Sequence, residues 1–189
     1  MIFYSIYRPI LHTAIEDERL EVVKHLVLSP TAKEYRFRGT EEAGKFTPLW
    51  ELTDKSGWTP LHSACNKGHF EIVDFLLNNP TEPHPPDSMS VEMSTPLHYF
   101  VRHPMPPPTV ISREKYYEIL SALLGPVEGK ANQPRNINLQ NKNGDTPLHV
   151  AIKSGCSEII MFLLLKQASV NAINKYDFLL PPPQNPNPV

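Results

Sequence analysis

A hexapeptide that recurs along the chain constrains its fold more than any other feature of the sequence. It reads T-P-L-H-S-A at residues 59–64, T-P-L-H-Y-F at 95–100 and T-P-L-H-V-A at 146–151, with a degraded copy, P-I-L-H-T-A, at 9–14. Each copy is followed by an apolar segment that opens on a glutamate: Glu21, Glu71, Glu118 and Glu158. The sequence therefore predicts that one structural unit is repeated four times.

Each unit is predicted to be a pair of short helices. Thr59 can cap the free N–H groups at a helix start, and Pro60 then occupies the first helical position, where its missing N–H costs nothing. Gly68 lies where a left-handed residue would end this first helix. The second helix, around residues 71–77, is apolar on more than one face, so neighbouring units must cover it. The pattern predicts an all-α stack in which no unit folds alone.

Residues 54–77 follow the pattern D-x-x-G-x-T-P-L-H-x-A with a later G-H-x-E-I-V-x-F-L-L, which resembles the ankyrin repeat. The resemblance covers about residues 9–180. It implies an all-α ankyrin-repeat solenoid of stacked helix pairs joined by β-turn fingers. It also implies the family's general role, which is recognition of another protein without catalysis.

The spacing of the copies departs from the 33 residues of an ankyrin unit, which indicates enlarged loops. The histidines of the hexapeptides, His12, His62, His98 and His149, lie 50, 36 and 51 residues apart. We expect an ankyrin repeat domain over residues 1–180, with units at about 9–30, 54–80, 91–125 and 138–170 and insertions at 29–53, 79–90, 104–115 and 125–136. The proline-rich residues 181–189 are predicted to be a tail or a linker to a further domain.

The composition excludes several classes of partner. With 18 basic against 20 acidic residues, the chain has no global positive field, so neither nucleic acid nor an anionic membrane is an expected partner. Two cysteines are too few for a disulfide framework, which favours a reducing, cytoplasmic location. We expect a monomer.

No catalytic or cofactor-binding pattern occurs in the sequence, so neither an enzyme nor a cofactor is expected. The four hexapeptide histidines are the most tempting catalytic or metal-binding residues. Because they recur at one position of the unit, they are predicted instead to bond locally, to the threonine hydroxyl or to a finger carbonyl. Cys65 and Cys156 lie in separate units and have no partnered base at motif spacing.

The resemblance implies a concave binding surface formed by finger tips and the outward positions of the first helices. The predicted partner-binding residues are Trp58, Ser63, Asn66, Lys67, Tyr99, Arg102, His103 and Lys153. Tyr99 and Arg102 are favoured because aromatic residues and arginine are common among binding hot spots, and Trp58 comes third. We expect that replacing Tyr99 and Arg102 weakens partner capture with little loss of stability.

The sequence leaves three contexts open for this interaction module. The first is the N-terminal part of a larger multidomain signalling protein, which binds a protein partner of unidentified kind. The second is the autoinhibitory arm of an enzyme whose catalytic part lies C-terminal to this chain. The third is a stand-alone microbial or viral ankyrin protein directed at a host.

Overall fold

The computed structural model describes residues 9–29, 52–79, 84–125 and 136–175. Within these residues the chain is helical and has no strand. The helices are α1 (Ile10–Glu16), α2 (Leu20–Leu28), α3 (Pro60–Lys67), α4 (Phe70–Asn78), α5 (Pro96–Phe100), α6 (Arg113–Leu124), α7 (Pro147–Ser154) and α8 (Ser157–Leu165). The predicted all-α fold is confirmed.

The helices pack as four consecutive pairs, which stack in two layers. Within each pair the first helix contacts the second, and the first helices α1, α3, α5 and α7 contact one another in chain order. The second helices α2, α4 and α6 also contact one another in order. This arrangement is the predicted solenoid of helix pairs. The limits of the units and insertions stay a prediction. Three segments lie outside the described residues: most of the predicted insertion 29–53, residues 126–135 and the proline-rich residues 181–189.

The helix ends follow the chemistry of the hexapeptide. Thr59 and Thr146 cap α3 and α7, with a proline in the first turn of each helix. Gly68 and Gly155 end the two helices with a φ of 71°, the left-handed conformation that glycine adopts without strain. Both predicted signals are therefore confirmed.

The third unit departs from this plan. Its first helix, α5, has five residues, because the prolines that follow from residue 104 cannot continue a helix. Its second helix, α6, has twelve residues and begins after Ser112, whose hydroxyl accepts the N–H of Lys115. Residues 113–115, which the sequence assigns to the insertion, thus belong to α6. Tyr116 of this helix is fully buried.

Between the units the chain forms five-residue turns that we call finger turns, at residues 54–58, 90–94 and 141–145. In each, the N–H of the first residue donates to the carbonyl of the last, as from Asp54 to Trp58. Successive turns are joined by one bond of 2.8–2.9 Å, from Val91 N–H to the Ser56 carbonyl and from Lys142 N–H to the Glu92 carbonyl. The fingers are thus in register along the stack.

The hexapeptide histidines join each unit to the next. Nε2 lies 2.8 Å from the Trp58 carbonyl for His12, 3.0 Å from the Ser94 carbonyl for His62 and 3.1 Å from the Asp145 carbonyl for His98. Each of these carbonyls belongs to the last residue of a finger turn. On the other side of its ring, His62 Nδ1 lies 2.8 Å from the Thr59 hydroxyl. The predicted local bonding of these histidines is confirmed.

This bonding fixes the protonation state of the buried histidines. A carbonyl only accepts hydrogen bonds, so His62 carries its proton on Nε2 and accepts the Thr59 N–H at Nδ1. Burial lowers the pKa of His62 and of His98 to about 4, against the opposing effect of their bonds to backbone carbonyls. Burial also lowers the pKa of His84 to about 3. These rings are therefore neutral at physiological pH.

We predict that acid destabilises the stack at a pH where carboxylates are still ionised. An unfolded histidine titrates near pH 6.5, so between pH 6.5 and 4 the unfolded chain binds protons that the folded chain does not. The free energy of unfolding should decrease as the pH is lowered through this window, by up to about 1.4 kcal/mol per pH unit for each of His62, His84 and His98. Urea titrations at a series of pH values measure the slope. A flat profile, or stability that rises on acidification, would contradict these assignments.

We also predict that the bond across the unit interface contributes measurably to stability. His62→Asn removes Nε2 and leaves the buried Ser94 carbonyl without its side-chain donor, which should lower the free energy of unfolding by about 1–3 kcal/mol. His25 is exposed on α2, so His25→Asn is a matched control that should change it by less than about 0.5 kcal/mol. Equal effects of the two substitutions would show that the interface bond is not what stabilises this position.

Candidate functional site

The eight predicted partner-binding residues lie on or beside the layer of first helices. Trp58 ends a finger turn, and Ser63, Asn66 and Lys67 follow on α3. Tyr99 lies on α5, with Arg102 and His103 just after it, and Lys153 lies on α7. The stacking of α3, α5 and α7 thus places these positions on successive units of one layer. Their role in binding stays a prediction.

Three of these residues form what we call the aromatic–arginine cluster: Trp58, Tyr99 and Arg102. The indole Nε1–H of Trp58 donates to the Tyr99 hydroxyl at 3.0 Å, and the two rings meet edge to face with centroids 4.8 Å apart. The guanidinium carbon of Arg102 lies 4.8 Å from the centroid of the Tyr99 ring, which is a cation–π distance. The arginine is exposed, whereas the tryptophan is half-buried.

The expected outward orientation of Tyr99 and Ser63 is wrong. Tyr99 is 4% exposed and Ser63 is 2% exposed. Tyr99 is enclosed between neighbouring units, because its ring packs against Trp58 and lies 5.8 Å from that of His62, centroid to centroid. Removing so buried an aromatic ring leaves a cavity, so replacement of Tyr99 is now expected to lower the stability, contrary to the expectation from the sequence. Tyr99 positions the cluster instead of presenting a free face.

Asn66 and His103 are joined across the interface between the second and third units. His103 Nε2 lies 2.8 Å from the Asn66 carbonyl, and both residues are half-buried. The His103 ring also lies against Gly68, where a Cβ atom would come within 3.2 Å of Nδ1. His103 is therefore a packing residue as well as a candidate contact residue.

The exposed cations of this layer differ in their partners. Lys153 Nζ lies 2.7 Å from Oδ2 of Asp145, whose Oδ1 accepts the Asn174 side-chain N–H at the same distance. Burial on its own would raise the pKa of Asp145, but the bonds from Lys153 and Asn174 outweigh it and hold this pKa below its usual value. By contrast, no carboxylate in the described part of the chain pairs with Lys67 or Arg102.

The sequence did not predict a groove that lies between the second helices α6 and α8. It has a volume of about 550 Å³ and is lined by Tyr117, Ser157, Glu158, Met161, Phe162 and Leu165. Tyr117 of α6 stacks on Phe162 of α8, with ring centroids 5.3 Å apart. The available signal was the run I-I-M-F-L-L-L at 159–165, which has no polar residue on any face.

The described residues offer little for metal or thiol chemistry. Across residues 9–29, 52–79, 84–125 and 136–175, no three of the histidine, cysteine, aspartate and glutamate side chains come close enough to share a metal ion. Cys65 is fully buried, and this burial raises the pKa of its thiol, so the reactive thiolate is disfavoured. None of the described helices combines the length and the apolar character that crossing a bilayer requires.

Comparison with known proteins places the repeats in one family. The family model described as ankyrin repeats (3 copies) matches residues 11–105, and that of a single ankyrin repeat matches residues 143–175. Together they cover more than half of the chain. Proteins of this family generally mediate protein–protein interactions and are not catalytic.

Several known proteins share part of this sequence. Human Rabankyrin-5 is 28% identical over 114 residues, which are 60% of this chain and 9% of that protein. A probable serine/threonine-protein kinase of Dictyostelium discoideum is 33% identical over 59% of this chain and 11% of its own length. The probable 26S proteasome regulatory subunit p28 of Saccharomyces cerevisiae is 29% identical over 65% of this chain and 46% of its own length. The match thus spans less than half of each of these relatives. On these family-model matches, which the relatives' sequences support, the chain belongs to the ankyrin repeat family.

Proposed function

We propose that this chain is a non-catalytic recognition module that binds a protein partner through its layer of first helices and fingers. The observation that carries the proposal is the aromatic–arginine cluster, in which an exposed guanidinium rests on a tyrosine ring that is itself held by a tryptophan. The cluster lies on the side of the units from which ankyrin repeats generally contact other proteins.

The cluster prepares Arg102 for binding before a partner arrives. An exposed arginine normally loses side-chain entropy when it is immobilised in an interface, and this loss weakens binding. Contact with the Tyr99 ring restricts the side chain in advance, while the guanidinium keeps its five N–H donors for a planar acceptor such as a carboxylate. Tyr99 and Trp58 thus support Arg102, and Trp58 retains an exposed part that a partner can cover.

The charges around the cluster favour an acidic segment as the partner. Lys67 and Arg102 are exposed and lack a carboxylate neighbour among the described residues, whereas Lys153 is already paired with Asp145. A segment that brings aspartate or glutamate to Lys67 and Arg102 would supply the missing countercharges. Asn66 and His103 are the sequence neighbours of these two cations and contact each other, and they are proposed to contact the same segment.

The setting of the module is a further part of the proposal. We place it in the cytoplasm, as a monomeric part of a larger signalling protein. Support comes from relatives that are much longer than the shared stretch, such as Rabankyrin-5. A regulatory arm of an enzyme is the second candidate, because one relative is named as a probable protein kinase.

We predict that Lys67→Ala with Arg102→Ala weakens partner binding at least about tenfold without a matching loss of stability, since both side chains are exposed. A photo-crosslinking residue at position 67 in the source cell would first trap the partner, and titration calorimetry with the purified partner would then give the affinities. Arg113→Ala with Lys166→Ala is the matched control, because it removes the same charge from exposed positions at the second helices. If both double variants bind as the unaltered chain does, the proposed surface is wrong.

A further inference from the structure

The groove between α6 and α8, which we call the α6–α8 groove, departs from the pattern of the other second helices. Met161 and Leu165, which line it, are 57% and 77% exposed. Counted from the glutamate that opens each second helix, the position of Met161 holds a polar residue in the other three units: Lys24, Asp74 and Ser121. Polar residues suit a solvated surface. The exposed methionine is therefore particular to the last unit and is available to a ligand.

The shape and the side chains of the groove suit a helix. Tyr117 and Phe162 form a stacked aromatic pair, half-buried, with ring planes 20° apart. Because Met161 and Leu165 are exposed beside these rings, the groove is open to solvent, whereas a small-molecule site usually encloses most of its ligand. Methionine, leucine and aromatic side chains in an open groove are typical of surfaces that hold the apolar face of an amphipathic helix.

The two ends of α8 place opposite charges beside this groove. Glu158 lines the groove in the first turn of the helix. Lys166 follows its last residue, with Nζ 5.5 Å from the centroid of the Phe162 ring. Eight residues separate the two charges, which is about 12 Å along a helix. Neither forms an ion pair with another of the described residues. Both charges are therefore available to a ligand.

The Glu158 side chain is ionised at neutral pH. Its own backbone N–H and the Ser157 hydroxyl hold the pKa of this carboxyl below its usual value, against a slight opposing effect of desolvation. Arg113 of α6 contributes a smaller attraction without forming an ion pair. The groove thus has a negative end at Glu158 and a positive end at Lys166, with apolar side chains between them.

We propose that the α6–α8 groove binds an amphipathic helix of a protein partner, which lies antiparallel to α8. The apolar stripe of this helix covers Met161, Phe162 and Leu165. A basic residue near its C-terminus faces Glu158, and an acidic residue near its N-terminus faces Lys166. These positions also suit the dipole of the bound helix, which favours acidic residues at the N-terminus and basic residues at the C-terminus. The groove is separate from the layer of first helices, so this proposal does not depend on the proposed function.

A synthetic helical peptide tests the proposal. It carries glutamate at position i, leucine at i+3, i+4 and i+7, and arginine at i+8, which matches the spacing of Glu158 and Lys166 on α8. Fluorescence anisotropy of the labelled peptide would measure its affinity for the full chain. We expect Met161→Asp to weaken binding at least about tenfold, because the new carboxylate would lie against the leucines. Met89→Asp is the matched control, since Met89 is 48% exposed and does not line the groove, and it should change the affinity less than about twofold.

A second measurement tests the charges and the direction of the bound helix. Lys166→Glu should weaken binding of the peptide about threefold, and a peptide with arginine in place of its glutamate should bind this variant more tightly than it binds the unaltered chain. A spin label at the N-terminus of the original peptide should broaden the methyl signals of Leu165 more than the amide signal of Glu158. The opposite order would overturn the antiparallel arrangement.

The proposal as a whole is overturned if the peptide does not bind, or if Met161→Asp and Met89→Asp affect binding equally. It is also overturned if, without peptide, the Met161 methyl signal shifts with protein concentration alongside a sedimenting mass above that of the monomer, because a second copy would then fill the groove. A nuclear Overhauser contact from this methyl group to residues 126–135 or 176–189 would overturn it too, since the chain would fill its own groove. Lys67→Ala with Arg102→Ala should leave the peptide affinity unchanged, which separates this test from that of the proposed function.

Discussion

The hydrogen bond from a buried histidine to the carbonyl of the next finger is the interaction on which the stack depends. One imidazole ring serves two levels of structure, because Nδ1 fixes the start of its own helix and Nε2 holds the following unit. The Nε2 bond requires the next finger to be in register, and acceptance of the Thr59 N–H at Nδ1 requires the ring to be neutral. The geometry of a single unit and the alignment of its neighbours are therefore set by the same side chain.

Most of the fold was predictable because the hexapeptide carries its own local chemistry. Thr59 and Pro60 specify a helix start, Gly68 specifies its end, and the apolar second segment requires a covering neighbour. The start of α6 at Arg113 was harder to predict, since the prolines indicate where α5 stops but not where the next helix resumes. Ser112 caps this helix and is a local signal of its start, but it has no counterpart in the hexapeptide.

The candidate site was predictable in position but not in exposure. The resemblance assigned Trp58, Tyr99 and Arg102 to one surface, and the structure brings these three side chains together. Burial of Tyr99 depends on the finger and the helix of the preceding unit, which it contacts at Trp58 across 41 residues of sequence and at His62 across 37. Helical periodicity within α5 holds no information about them. The groove beside Phe162 was missed for the same reason, since two helices from different units form it.

The contact between Trp58 and Tyr99 also gives the molecule an optical reporter. Trp58 is one of two tryptophans in the chain, and its indole lies between a finger turn and the ring that supports Arg102. A ligand that draws the guanidinium away, or a separation of the second and third units, would alter the surroundings of this indole. The emission wavelength of this indole therefore reports both partner binding at the surface and separation of the second and third units, without an attached dye.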